Sequence, residues 1–270
     1  MVQSTIILAF IDKNHIILTI LLIQVSISDL GEFMNKKYGV FITSAINSVD
    51  QSVYTPEVRF EQTFKTIETV RQHIPNSVIC LVESSINGLS SEDKAKIVEK
   101  VDYFFDFSKE AMLKQIAENT HKDTAQNLSE LVTLIKAFTI IKNKKIFDGC
   151  DRILKISGRY WLNENFDIDK HDQSNKFVFF KKTLSQFPFG LTNASLQYMT
   201  RTYSFDIVLL DSFIGYLKEM LNHMQDTVND RRYIDIEHLF CKFIPKKSIV
   251  ELGRIGVSGN ISKSGALVED

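Results

Sequence analysis

From Tyr38 onward, short apolar runs ending in small polar residues alternate with stretches whose apolar residues recur at helical spacing. Nothing else in the chain constrains its fold as tightly, because such alternation builds strands covered by helices on both faces. The run Tyr38 to Ile46 is nearly continuous in apolar residues until Thr43 and Ser44, the mark of a strand buried on both sides. Behind it, Phe60, Phe64, Ile67, Val70 and Ile74 keep helical spacing until Pro75 and Asn76 stop them. The next strand is Ser77 to Val82. Ser90 to Asp93 then cap a helix carrying Ala95, Ile97, Val98 and Val101, and a short strand follows at Tyr103 to Phe107.

A longer helix is predicted over Asn127 to Lys144, with Leu128, Leu131, Leu134, Ile135, Phe138 and Ile141 on one face, leading into a strand at Arg152 to Ile156. Strands are expected at Lys176 to Lys182 and Tyr198 to Ser204, with Phe187 to Gly190 as a turn between them. Helices are expected over Asp206 to Met224 and Asp235 to Phe243, the second ended by Pro245. Ser248 to Leu267 reads as a hairpin or extended return. No internal repeat or linker divides this part, so residues 34–270 are read as one α/β domain.

Composition limits the partners. The 270 residues are 44% hydrophobic, enough for a large core, and 32 Lys and Arg against 33 Asp and Glu leave a net charge of -1. No global field draws such a chain to nucleic acid or to an anionic membrane. Cys80, Cys150 and Cys241 lie far apart without C-x-x-C spacing, so reduced thiols are expected rather than a zinc cluster or a disulfide framework. Residues 1–33 are read as an apolar extension upstream of a start at Met34. Their apolar run Ile16 to Ile27, of about a dozen residues, falls short of the ~20 that span a bilayer. A signal or anchor is the alternative, and membrane association is not the favoured reading; the expected location is cytoplasmic.

In open α/β sheets ligands gather beyond the carboxyl ends of the strands. Here those positions hold Thr43 and Ser44, then Glu83 to Ser85, Asp106, and Ser157 to Tyr160. Gly158 lets a backbone come close to a ligand, and Arg159 offers a planar fork suited to phosphate or carboxylate. Arg59 and Gln62 lie on the helix after the first strand, and Arg201 lies on a later predicted strand. Asp167-Ile168-Asp169 stands in a polar stretch and reads as a solvated loop. G-x-S-x-G, G-x-x-x-x-G-K-[ST] and G-x-G-x-x-G are all absent, and the six histidines show no H-x-x-x-H pair.

The element order, together with Arg152-Ile-Leu-Lys-Ile-Ser-Gly-Arg-Tyr-Trp-Leu-Asn-Glu-Asn-Phe166, resembles the GT-A nucleotide-sugar glycosyltransferases of surface-glycan and polysaccharide assembly. The resemblance implies a Rossmann-type mixed sheet flanked by helices, a nucleotide-sugar donor, a glycan or lipid-linked acceptor, and a divalent metal, Mn or Mg, held by an Asp-x-Asp pair at that strand end. This chain departs from the pattern. Ser157-Gly158-Arg159 stands where the acidic pair would be, so no metal ligand is assigned, and Lys155 or Arg159 would supply the positive charge. The donor site expected from this likeness comprises Ser44, Arg59, Glu83, Lys155, Ser157, Gly158, Arg159 and Arg201. Acid–base work would fall to Glu237 near the start of the late helix, with Asp235 in reserve. A non-catalytic binding or assembly protein on the same scaffold is the alternative.

Overall fold

A computed structural model describes the backbone of residues 3–10 and 19–26, and all of 36–47, 52–261 and 264–270. The start expected at Met34 lies outside the described residues. The chain divides into two units, residues 1–37 and 38–270. In the first, β1 (Gln3–Phe10) and β2 (Thr19–Ser26) form an antiparallel pair of their own.

The second unit follows the alternation of the sequence. Its elements are β3 (Tyr38–Ser44), α1 (Pro56–His73), β4 (Val78–Glu83), α2 (Ser91–Val98), β5 (Tyr103–Asp106), α3 (Ala111–Asn119), α4 (Lys122–Asn143), β6 (Arg152–Ser157) and β7 (Tyr160–Leu162). They continue with α5 (Ile168–His171), β8 (Phe177–Phe180), β9 (Thr183–Leu184), α6 (Phe189–Thr192), β10 (Leu196–Gln197), β11 (Thr202–Asp206), α7 (Leu210–Asn229) and α8 (Ile236–Phe243). β12 (Ile249–Leu252), β13 (Val257–Asn260) and β14 (Leu267–Glu269) complete the chain.

Seven strands form the main sheet in the order β12-β8-β11-β6-β3-β4-β5. β3 pairs in parallel with β4 on one side and β6 on the other, and β4 in parallel with β5. β11 enters antiparallel between β6 and β8, which makes the sheet mixed. Alternate residues of β3 serve opposite layers, as the strand's two-residue period requires. Val40 and Ile42 pack with Ile67 and Val70 of α1, whereas Phe41 packs with Leu134 and Phe138 of α4. The rings of Phe41 and Phe138 lie 4.7 Å apart. Thr55 caps α1 by accepting from the Val58 N–H, with Pro56 in the first turn where its missing N–H costs nothing.

Several boundaries differ from the sequence expectation. The strand expected at Tyr198 to Ser204 runs from Thr202 to Asp206, because Tyr198 instead donates its N–H to the Glu237 carbonyl beside α8. The turn expected at Phe187 to Gly190 leads into the short helix α6, closed by Asn193 in the left-handed region at φ +50°. The tail contributes both a hairpin, β13 with β14, and the edge strand β12. β7 joins β13 and β14 in a separate three-stranded sheet directly behind the end of β6. Cys80 and Cys150 are buried, and Cys241 is partly so. Among the described residues no helix is long and apolar enough to cross a membrane.

Candidate functional site

The parallel register brings the ends of β3, β4 and β6 to one edge: Thr43 faces Val82 on one side and Ser157 on the other, and Ser44 faces Glu83. With the start of α1 and one face of α4, this edge encloses a cavity of about 400 Å³. Its wall includes Ser44, Arg59, Gln62, Thr63, Ser157, Gly158 and Arg159, together with Asn47, Ser85 and Asn87 from the loops after β3 and β4. Gln126, Ser129, Glu130 and Thr133 of α4 form the facing wall.

Arg59 and Arg159 give the cavity its charge. Burial, and then the neighbouring Arg159 guanidinium, lower Arg59 to about 10, so that it is still a cation at neutral pH. Arg159 also lies over the Tyr160 ring at 5.5 Å, and its buried Nε makes no hydrogen bond. A buried donor left open in this way is ready for an acceptor.

Gly158 keeps these elements together. Its N–H donates to the Thr43 carbonyl at 2.7 Å, and its own carbonyl accepts from the Thr63 hydroxyl at 3.0 Å. A β-carbon there would stand 3.1 Å from the Thr63 hydroxyl and 3.3 Å from Ser44. Glycine thus serves the approach of β6 to α1 and β3.

Three of the residues expected at a donor lie behind the wall. Glu83 is wholly buried and accepts from the Ser44 hydroxyl at 2.6 Å, from the N–H groups of Ile46 and Ser85 at 3.1 and 2.9 Å, and from the Ser85 hydroxyl. It clamps two loops. Lys155, also wholly buried, donates to Ser157 Oγ at 2.9 Å and the Thr200 carbonyl at 2.8 Å and pairs with Glu130 at 3.3 Å. Burial lowers its pKa, and Glu130 opposes the shift. Arg201 pairs with Asp270 at 3.1 Å and lies over the Tyr160 ring, away from the cavity wall.

Neither candidate acid–base group lies on the cavity wall. Glu237 lies behind Glu130, half-buried in surface terms but with its carboxylate deep in the protein, and accepts from the Thr200 hydroxyl at 2.8 Å. Burial, then Asp235, then Glu130, raise it to about 8. Asp235 caps α8 by accepting from the His238 N–H at 3.0 Å and also binds His238 Nδ1, while His238 Nε2 meets Ser185 Oγ at 2.8 Å. Its carboxylate is therefore already engaged. Glu130, which the sequence did not single out, is the carboxylate that reaches the cavity.

The donor set does not suit a divalent cation, which takes several oxygen ligands, because Glu130, the carboxylate on the cavity wall, is already paired with Lys155. Guanidiniums and hydroxyls stand at the strand end, and among the described residues no group of three His, Cys, Asp or Glu converges. Asp167 of the Asp-x-Asp triplet caps α5 and pairs with Lys170, each at 3.1 Å.

No family model matches the chain, and no curated protein matches it in sequence. Among solved structures it is similar to core-mannan synthase A of Aspergillus fumigatus in a Mn/GDP form, at 9% identity, covering 86% of this chain and 78% of that one with a TM-score of 0.50. The fold is GT-A-like. Matches to the galactosyltransferase LgtC with donor and acceptor sugar analogues (10% identity, 79% and 72% covered) and to mouse xyloside xylosyltransferase 1 (10%, 80% and 85%) have TM-scores of 0.48. At 9% identity the likeness to core-mannan synthase A shows the fold alone, and function must be argued from the residues of this cavity.

Proposed function

We propose that the chain is a glycosyltransferase that binds a nucleoside-diphosphate sugar in the cavity and transfers its sugar to a hydroxyl of a glycan or lipid-linked acceptor without a divalent metal. The observation that carries this reading is the pair Arg59 and Arg159 on one cavity wall, at the strand end where the resemblance would put an acidic pair. Fixed guanidiniums stabilise the charge that grows on a departing diphosphate, and they need no rearrangement as it grows. Ser157 and Ser44 offer further hydroxyls beside them.

Glu130 faces this cationic wall from α4. In the proposed reaction the acceptor oxygen bonds to the anomeric carbon, the bond from that carbon to the diphosphate oxygen breaks, and Glu130 takes the acceptor proton. Lys155 holds Glu130 in place at 3.3 Å. Glu237, raised to about 8 and so carrying its proton at neutral pH, leaves the Lys155 charge to Glu130; its role is positioning.

The test is a thermal-shift panel of UDP- and GDP-sugars with EDTA or with manganese, followed by turnover assays. Stabilisation that persists in EDTA and is lost in Arg159→Ala, with turnover falling by two orders of magnitude or more while circular dichroism is unchanged, is the expected result. Silence across the panel removes the donor site. Stabilisation with no turnover on any acceptor favours the non-catalytic binder, for which the missing acidic pair is the supporting feature.

A further inference from the structure

A second cavity, of about 290 Å³, opens between α3, α4 and α7. Phe107, Met112, Leu113, Val132, Ile135 and Leu221 make its surface almost wholly apolar. The only charges at its rim, Glu110 and Lys136, are paired with each other, and the Lys136 ammonium also lies 5.4 Å from the Phe107 ring centre. An uncharged chain entering here leaves no ion without its partner.

Thr133 lines both this slot and the polar cavity. Threonine within a helix ordinarily donates its hydroxyl to the carbonyl four residues back. Thr63, Thr66, Thr139 and Thr227 do so, at 2.6 to 3.0 Å. Thr133 is buried, yet its hydroxyl makes no hydrogen bond. At the junction of a polar and an apolar cavity, an unpartnered buried hydroxyl marks the place where an amphiphile changes character.

We propose that the slot receives the neutral alkyl chain of an amphiphilic acceptor, whose hydroxyl-bearing head bonds Thr133 and reaches the polar cavity. The assignment of the head to the acceptor side rests on the transferase reading above; the slot itself does not. Its volume is that of roughly ten water molecules in the liquid, room for an alkyl chain of roughly eight carbons.

The probes are methyl, hexyl and octyl β-D-glucopyranoside, titrated below micelle-forming concentrations into full-length protein carrying ¹³C-methyl methionine, with the Met112 signal assigned through Met112→Leu. Met112 reports directly because it lies at the slot and is 55% exposed. Expected are a saturable Met112 shift with the octyl and hexyl glucosides and none with the methyl glucoside. Kd should fall by about threefold to fourfold for each added methylene, the ratio that corresponds to ~0.8 kcal/mol. Val132→Trp, which fills the slot, should weaken octyl glucoside at least tenfold, and Ile135→Phe provides a milder filling should the first variant misfold. Thr133→Val should weaken it several-fold. Equal shifts with methyl and octyl glucoside, or an unchanged Kd in a folded slot-filling variant, overturn the proposal. Nucleotide-sugar stabilisation is measured in parallel on the wild-type chain: octyl binding without it overturns the transferase reading and leaves the slot standing.

Discussion

Glu237 keeps its proton far above the usual carboxylate range because it is buried beside Asp235 and Glu130, and the Thr200 hydroxyl offsets only part of that. Between the ordinary value of 4.5 and about 8, the unfolded chain has released a proton that the folded chain retains. Stability therefore falls as pH rises across that window and levels off above it. The melting temperature of the wild type should decline from pH 5 to pH 8, and Glu237→Gln should flatten the decline; parallel curves would show that Glu237 ionises elsewhere. At this scale the sequence displayed the strand-end Arg159 and, through helical spacing, Arg59 and Gln62. Glu130 was hidden because α4 announced itself by its leucines. The signal was present in the polar stripe Gln126, Ser129, Glu130 and Thr133, whose spacing of three and four places them on one helix face.

The ends of β3 and β4 are joined by one buried carboxylate. Glu83 accepts from Ser44, Ile46 and Ser85, so its removal leaves several buried donors without partners. Glu83→Ala should cost about 3 kcal/mol or more in urea unfolding and lower nucleotide-sugar affinity through the displaced Ser44, whereas Arg159→Ala should leave unfolding unchanged. A loss in affinity from Glu83→Ala without any loss in stability would mean that Glu83 meets the ligand itself. Elements with long apolar runs or clear caps, such as β3, α1 and α8, were legible from sequence. β7, β13 and β14 were harder to read. Strands of three or four residues have too little periodicity, and their pairing depends on partners distant in the chain, as Ser258 pairs with Trp161.

Over the whole molecule, the seven-stranded sheet and both its cores lie within residues 38–270, while β1 and β2 pair with each other. A chain shortened to begin at Met34, the start expected from the sequence, should melt within about 2 °C of the 270-residue chain and bind nucleotide sugars equally. A drop well beyond that would give residues 1–33 a part in the fold. The central position of β3 also has a consequence during synthesis. Its partner on one side, β4, follows promptly, but β6 on the other side lies beyond four helices and two strands, with Tyr38 paired to Arg152. At roughly 5–20 residues per second, the apolar edge of β3 is complete for several seconds before its neighbour leaves the ribosome. Nascent chains arrested between α4 and β6 should accordingly be the form most dependent on chaperones and most prone to aggregate.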